Sequence, residues 1–242
     1  FLSNQSSESI NILPKFRISD KQPELWNPVN GDRRNLNQFS IENSTTTVPL
    51  TLAPLQSVFI VFRNDATPAT ADAVNFPLPK VLQTLNTPWT VTFDSEFRGP
   101  EKPVVFNQLI DWTKSTDENI KFYSGSATYR NSFTAEKPKT GERFVLNLGD
   151  VKVMAKVKLN GKYVGGVWSA PWQVDVTNFL IPGKNEVEID VVNTWVNRLI
   201  GDSKLPVPER KTFTLVNPYK ANSPLEPSGL KGPVKLLSIT DK

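Results

Sequence analysis

The chain has 242 residues, with 28 Lys and Arg against 24 Asp and Glu, no histidine and no cysteine. Those absences exclude disulfides, Cys/His zinc sites, Ser-His-Asp triads and Cys-His nucleophiles from this chain, and a net charge of +4 scattered as single residues makes no nucleic-acid footprint. Twenty prolines against twelve glycines, among many β-branched residues, favour strands, turns and ordered loops over helices, and a chain of this size buries roughly 70% of its unfolded surface.

In chain order, residues 1 to 64 read as a small all-β, sandwich-like unit. Phe1 to Gln5 and Ile10 to Ile18 are strand-like, and Lys21-Gln22-Pro23 is expected to turn the chain into Glu24-Leu25-Trp26. Phe39 and Ile41 form a short edge run, Thr45 to Leu52 another, and Ser57 to Phe62 closes the unit as a nearly continuous apolar strand. The chain opens at Phe1 within a strand-like run, so it is expected to be a fragment or a processed product. Residues 65 to 84 are rich in Ala, Thr, Asp and Pro in their first part, lack a period, and are read as a linker.

Residues 85 to 242 form the second unit. Trp89 to Phe93 alternates as its first strand, Val104 to Phe106 is short, and Leu109 to Trp112 reads as one helical turn. Tyr123 to Phe133 and Arg143 to Leu148 continue the strands. Val151, Val153, Ala155, Val157 and Leu159 then share one side of a two-residue period, with Lys152, Lys156 and Lys158 on the other. Asn160-Gly161 accepts the positive φ angles of a tight hairpin, so Lys162 to Val167 returns as the antiparallel partner. Gln173 to Val176 leads through Pro182-Gly183 into the alternating run Val187, Ile189, Val191. A long irregular passage from Asp202 to Pro233 precedes a last alternating strand, Val234 to Ile239, expected beside an early one. The fold class is therefore all-β, a sandwich-like unit followed by a jelly-roll β-sandwich.

The succession Trp89, Tyr123-Ser124-Gly125, Leu146-Asn147-Leu148-Gly149-Asp150, Leu159-Asn160-Gly161-Lys162, Val167-Trp168, Pro171-Trp172, Asp175-Val176-Thr177, Pro182-Gly183-Lys184-Asn185 and Asn193 resembles the galactose-binding-like, sugar-binding domain of family 2 glycoside hydrolases. The run Asn193 to Asp202, with Glu226-Pro227-Ser228-Gly229-Leu230 and Gly232-Pro233-Val234, resembles the C-terminal region of large bacterial glycoside hydrolases of the family 106 α-L-rhamnosidase type. The resemblance implies a noncatalytic accessory module, secreted, periplasmic or on the cell surface. Its implied partners are carbohydrate and a catalytic barrel upstream in the same polypeptide, with no nucleic acid or membrane as partner. No cofactor is required, although such domains often carry a structural calcium.

Sugars stack their C–H faces on flat rings and give their hydroxyls to planar polar groups. Trp172, Trp168, Trp195, Tyr123, Asn197 and Arg198 have that composition, and Trp172, in a loop after Pro171, is expected to be the most exposed ring. Core packing, or contact with a further domain, competes with this reading for Trp168 and Trp195, and a buried structural role competes for Arg198. Calcium oxygens could come from the loops Asp94 to Glu101 or Asp111 to Glu118. An autonomous hydrolase would draw its two carboxylates from Asp94, Glu96, Glu101, Asp111, Asp117 and Glu118.

Overall fold

Asn160 and Gly161 both take positive φ, 51° and 76°, and turn the chain so that Leu159 stands opposite Lys162. This is the two-residue hairpin that Asn-Gly favours. The hairpin belongs to the second of two units in a computed structural model that describes residues 1–66 and 73–240. That unit comprises mainly Val81–Lys139 and Arg143–Ser238, the first mainly Phe1–Lys80.

Six strands make the larger sheet of the second unit, in the order Val104–Phe106, Trp89–Phe93, Ser126–Ala135, Gly183–Val192, Met154–Leu159, Lys162–Val167. Its centre is the antiparallel pair Ser126–Ala135 and Gly183–Val192, in continuous register over ten residues. Alternation then sorts the side chains. Phe93, Ala127, Val191, Ala155 and Val167 form one row across five strands, and all five are buried. One residue to the side, the outward rows run Thr92, Thr128, Asp190, Lys156 and, two residues further on, Thr90, Arg130, Glu188, Lys158. There Glu188 takes hydrogen bonds from Arg130 Nε at 2.9 Å and Lys158 Nζ at 2.7 Å. Lys158, and after it Arg130, hold the Glu188 carboxyl below its ordinary range despite partial burial.

A second sheet, Lys80–Thr84, Lys235–Thr240, Glu142–Asn147, Gln173–Asp175, supplies Leu146, Val174 and Leu236 to the same buried cluster as Val91, Tyr129, Val157 and Ile189 of the first. The two sheets therefore share one core, as a β-sandwich requires. At its centre Trp112 Nε1 donates to the Tyr129 hydroxyl at 2.6 Å, which also accepts from Leu230 N at 3.3 Å. Gly229 lies against the indole, and a Cβ there would stand 2.5 Å from Trp112 Nε1, at a φ of 92° that L side chains rarely adopt.

Several expectations are corrected. The run Val151 to Leu159 is two strands, since Val151–Lys152 leaves the sheet to pair with Gly229–Leu230. The strand expected from Tyr123 begins at Ser126, because the buried Tyr123 and Gly125, at φ 141°, turn the chain first. The helical turn expected at Leu109 to Trp112 is a 3-10 turn at Trp112–Lys114, started where the Asp111 side chain accepts Thr113 N. Lys80–Thr84, read as linker, is a strand beside the last one. Of that linker, residues 67–72 lie outside the described residues, and Asn75 is buried in the first unit, donating to Gln38 and Pro49 carbonyls.

In the first unit, strands Leu2–Ser3, Ser57–Asp65, Lys21–Trp26 and Arg33–Asn35 form one sheet over a small core of Leu25, Leu36, Val48, Leu50, Leu52 and Val58. The expected turn at Lys21-Gln22-Pro23 is instead the start of an inner strand, and the register shifts there, which accommodates the missing proline N–H. Glu24, buried in that strand, accepts from Trp26 Nε1 at 2.8 Å, Arg63 Nη2 at 2.9 Å and Asn64 Nδ2 at 2.9 Å. Trp26, followed by Arg63, holds its carboxyl below the usual range.

Two outcomes are expected. Tyr129→Phe, which strips Trp112 Nε1 and Leu230 N of their acceptor, lowers unfolding free energy by about 1–3 kcal/mol in urea titrations, and Gly229→Ala lowers it further. Glu188→Gln costs about 1 kcal/mol at neutral pH. Because the folded-state pKa of Glu188 is depressed, its contribution is present above the unfolded value near ~4.3 and is lost as pH falls through the folded value. Thermal melts from pH 7 to pH 3 therefore show a shallower acid decline in the variant.

Candidate functional site

The third outward row of the large sheet reads Ser126, Val192, Met154, ending at Trp168, the residue after Val167. Trp168 is 53% exposed and Met154 46%. Tyr163, on the same edge strand, is also exposed, and its hydroxyl reaches Gly166, where a Cβ would stand 3.5 Å away. Trp195 follows three residues after Val192, is 46% exposed, and meets Phe97 edge-to-face at 5.2 Å. The strands that lead to Trp168 and Trp195 are separated by one strand, so their axes lie two spacings apart, roughly 10 Å. The sheet end thus carries a rim of rings and a thioether beside the polar Arg130–Glu188–Lys158 surface.

Of the residues singled out in the sequence, the structure brings Trp168 and Trp195 to this rim and assigns the others to the framework. Trp172, expected to be the most exposed, is half-buried against the core because it immediately precedes the Gln173–Asp175 strand, and its carbonyl accepts Leu148 N at 2.8 Å. Tyr123 is fully buried: its hydroxyl donates to the Ser126 carbonyl at 2.7 Å and accepts Asp94 N at 3.0 Å, and burial pushes its phenol up to about 12. Asn197 is buried too, donating to the Glu226 carbonyl at 2.7 Å and accepting Glu226 N at 2.9 Å. Arg198 lies buried beside Asp202, Nε 2.9 Å from Oδ1, a close ion pair without the alignment of a hydrogen bond. Burial pulls the Arg198 guanidinium down, against the opposing pull of Asp202.

Asn193 ties the rim to the body. Its Oδ1 accepts Gly125 N at 2.9 Å, and its Nδ2 donates to the Tyr123 carbonyl at 2.9 Å and Ser228 Oγ at 3.1 Å. Phe97 and Tyr163 were not anticipated. Tyr163 stands in the strand after the Asn-Gly turn, where alternation could have flagged it, whereas nothing local marks Phe97.

The acidic loops are taken up by local structure. Asp94 accepts Glu96 N at 2.9 Å, Asp111 accepts Thr113 N and Ser228 N at 3.0 and 3.1 Å, and Asp117 accepts Asn119 N at 2.9 Å. Each is a cap on a short helical turn. A calcium ion asks for six to eight oxygens, and no three acidic side chains converge as a metal-binding group among the described residues.

Residues 105–219 match the family described as glycosyl hydrolase 2 galactose-binding domain-like. A putative beta-glucuronidase of Formosa agariphila is 38% identical over 179 residues, which is 64% of this chain and 15% of that protein. The solved structure of a rhamnosidase from Novosphingobium sp. PP1Y superposes on 98% of this chain with a TM-score of 0.91 and 36% identity, and the match covers 22% of the rhamnosidase. The chain therefore spans less than a quarter of the length of either relative. Together with the six-strand and four-strand sandwich, these matches identify residues 105–219 as a galactose-binding-like domain of the glycosyl hydrolase 2 type.

Proposed function

We propose that the chain is an accessory module of a longer, secreted or cell-surface glycoside hydrolase of the rhamnosidase type, and that it binds carbohydrate at the rim set by Trp168 and Trp195. The observation that carries this reading is the exposure of those two indoles at one end of a galactose-binding-like sandwich. An exposed indole offers a flat apolar face to the C–H patch of a pyranose, and the nearby Lys156, Asp190 and Thr128 offer donors and acceptors for its hydroxyls. Phe97 braces Trp195 from the edge, so the ring is held before a sugar arrives and less entropy is lost on binding. The names of the relatives suggest rhamnosyl and β-glucuronosyl oligosaccharides as the first ligands to try.

Calorimetric titration of the chain with those two oligosaccharide classes is expected to show binding that Trp168→Ala and Trp195→Ala each weaken roughly fivefold to tenfold. Trp172→Ala, by contrast, is expected to lower the thermal midpoint and leave affinity unchanged. Absence of binding by the wild-type chain up to about 10 mM glycan, an interaction of under roughly 3 kcal/mol, would sink this reading.

A further inference from the structure

The helix Val196–Asp202 buries Asn197, Arg198, Ile200, Gly201 and Asp202, and from its end the chain leaves the body. No residue from Ser203 to Pro227 is buried. Within this excursion Val207, Phe213, Leu215 and Val216 are 71%, 91%, 93% and 77% exposed, an apolar content that a solvated loop does not need.

The excursion is nevertheless firmly rooted. Asp202, itself buried, accepts Lys211 N, Thr212 N and Thr212 Oγ1 through Oδ2, each at 2.8 Å. Arg98 donates to the Glu209 carbonyl, and Arg210 Nε donates to the Leu205 carbonyl at 2.9 Å. At the far root, Asn197 clasps the backbone of Glu226 from both sides, and Thr194 donates to the Glu226 carboxylate at 2.9 Å. A buried carboxylate committed to two backbone N–H groups of a loop fixes where that loop starts its outward course. Phe213 and Leu215, just beyond the Asp202 anchor, are thus presented rather than left loose. Between 203 and 223 the charges are Lys204, Arg210, Lys211 and Lys220 against Glu209 alone, so the apolar tip is flanked by positive charge.

We infer that this arm is a docking element whose Phe213, Leu215 and Val216 seat in an apolar groove, bordered by acidic side chains, on another domain of the same polypeptide. The inference rests on the reading above that the chain is one part of a longer glycoside hydrolase. Two observations favour an occupant in the same polypeptide over a separate partner. The rhamnosidase that matches 98% of this chain is more than four times as long as the matched part, so in that protein the fold is embedded in a larger chain. The arm also has a stiff root at each end, which suits a fixed neighbour better than an incoming one.

The test uses the full-length polypeptide. Limited trypsin digestion at Arg210 and Lys211 is expected to run roughly tenfold faster in the Phe213→Asp/Leu215→Asp double variant than in wild type, because the released arm becomes a substrate. Both side chains point into solvent in the chain itself, so the double variant keeps its fold, and its glycan titration should be unchanged. As a second readout, a thiol introduced by Leu215→Cys should react with maleimide roughly tenfold more slowly than one introduced by Asn222→Cys on the same arm. Equal labelling of the two positions, or equal trypsin cleavage of wild type and variant, overturns the inference. Protection that grows with protein concentration overturns it in favour of a second copy as occupant. An arm protected at all concentrations in a protein that binds no glycan supports the docking and removes only the sugar-binding reading.

Discussion

The continuous ten-residue pairing of Ser126–Ala135 with Gly183–Val192 is the constraint on which the second unit depends. A slip of one residue there would turn Ala127, Tyr129, Ile189 and Val191 to solvent and bury Arg130, Glu188 and Asp190, so one register decides both faces at once. The outer face confirms the same register by charge: Arg130, Glu188 and Lys158 are direct neighbours across three strands, and all three join in one ionic cluster. On the inner face the Trp112–Tyr129–Leu230 hydrogen bonds join a loop, a central strand and the Gly229–Leu230 strand through one hydroxyl. Polar atoms buried at such a point cost free energy unless each finds its partner, which makes this arrangement specific as well as stabilising.

What could be read from the sequence was what period two encodes. Trp89, Val91 and Phe93 face inward as their alternation says, the Asn160-Gly161 turn stands where its dihedral preference puts it, and Val187, Ile189 and Val191 line the core. Lys80–Thr84 escaped because its five residues are mostly exposed on an edge strand and lack a buried face to reveal them. The helix Val196–Asp202 escaped because it is seven residues long, has no side-chain N-cap, and owes its stability to burial of Ile200 and the Arg198–Asp202 pair, which are tertiary facts. Lys21-Gln22-Pro23 reads locally as a turn, and only the pairing with Ser57–Asp65 overrides that preference.

For the candidate site, residue type alone selected Trp172, Trp168, Trp195, Tyr123, Asn197 and Arg198, and the structure leaves Trp168 and Trp195 broadly exposed while Tyr123, Asn197 and Arg198 are buried. Six positions share the composition of a sugar site, yet Trp172 packs against the core while Trp168 is exposed, although the strands Gln173–Asp175 and Lys162–Val167 beside them both lie at sheet edges, a difference of tertiary packing that residue type does not carry. Asn197 and Arg198 belong to the helix that roots the arm, and Asn193 locks the same region to Gly125 and Tyr123. Rim and arm are therefore built on one polar scaffold, whose buried amides and hydroxyls satisfy one another.

The chain contains a single methionine and no cysteine, so all of its sulfur sits at Met154, on the outermost row beside Trp168. Thioethers gain oxygen under mild peroxide, and this one is open to solvent. Sulfoxide formation would replace a soft apolar contact with a strong dipole at the margin of the aromatic rim while sparing the core, which holds no sulfur. Oxidation of sulfur in this molecule thus has one address, and it lies on the exposed outer row beside Trp168.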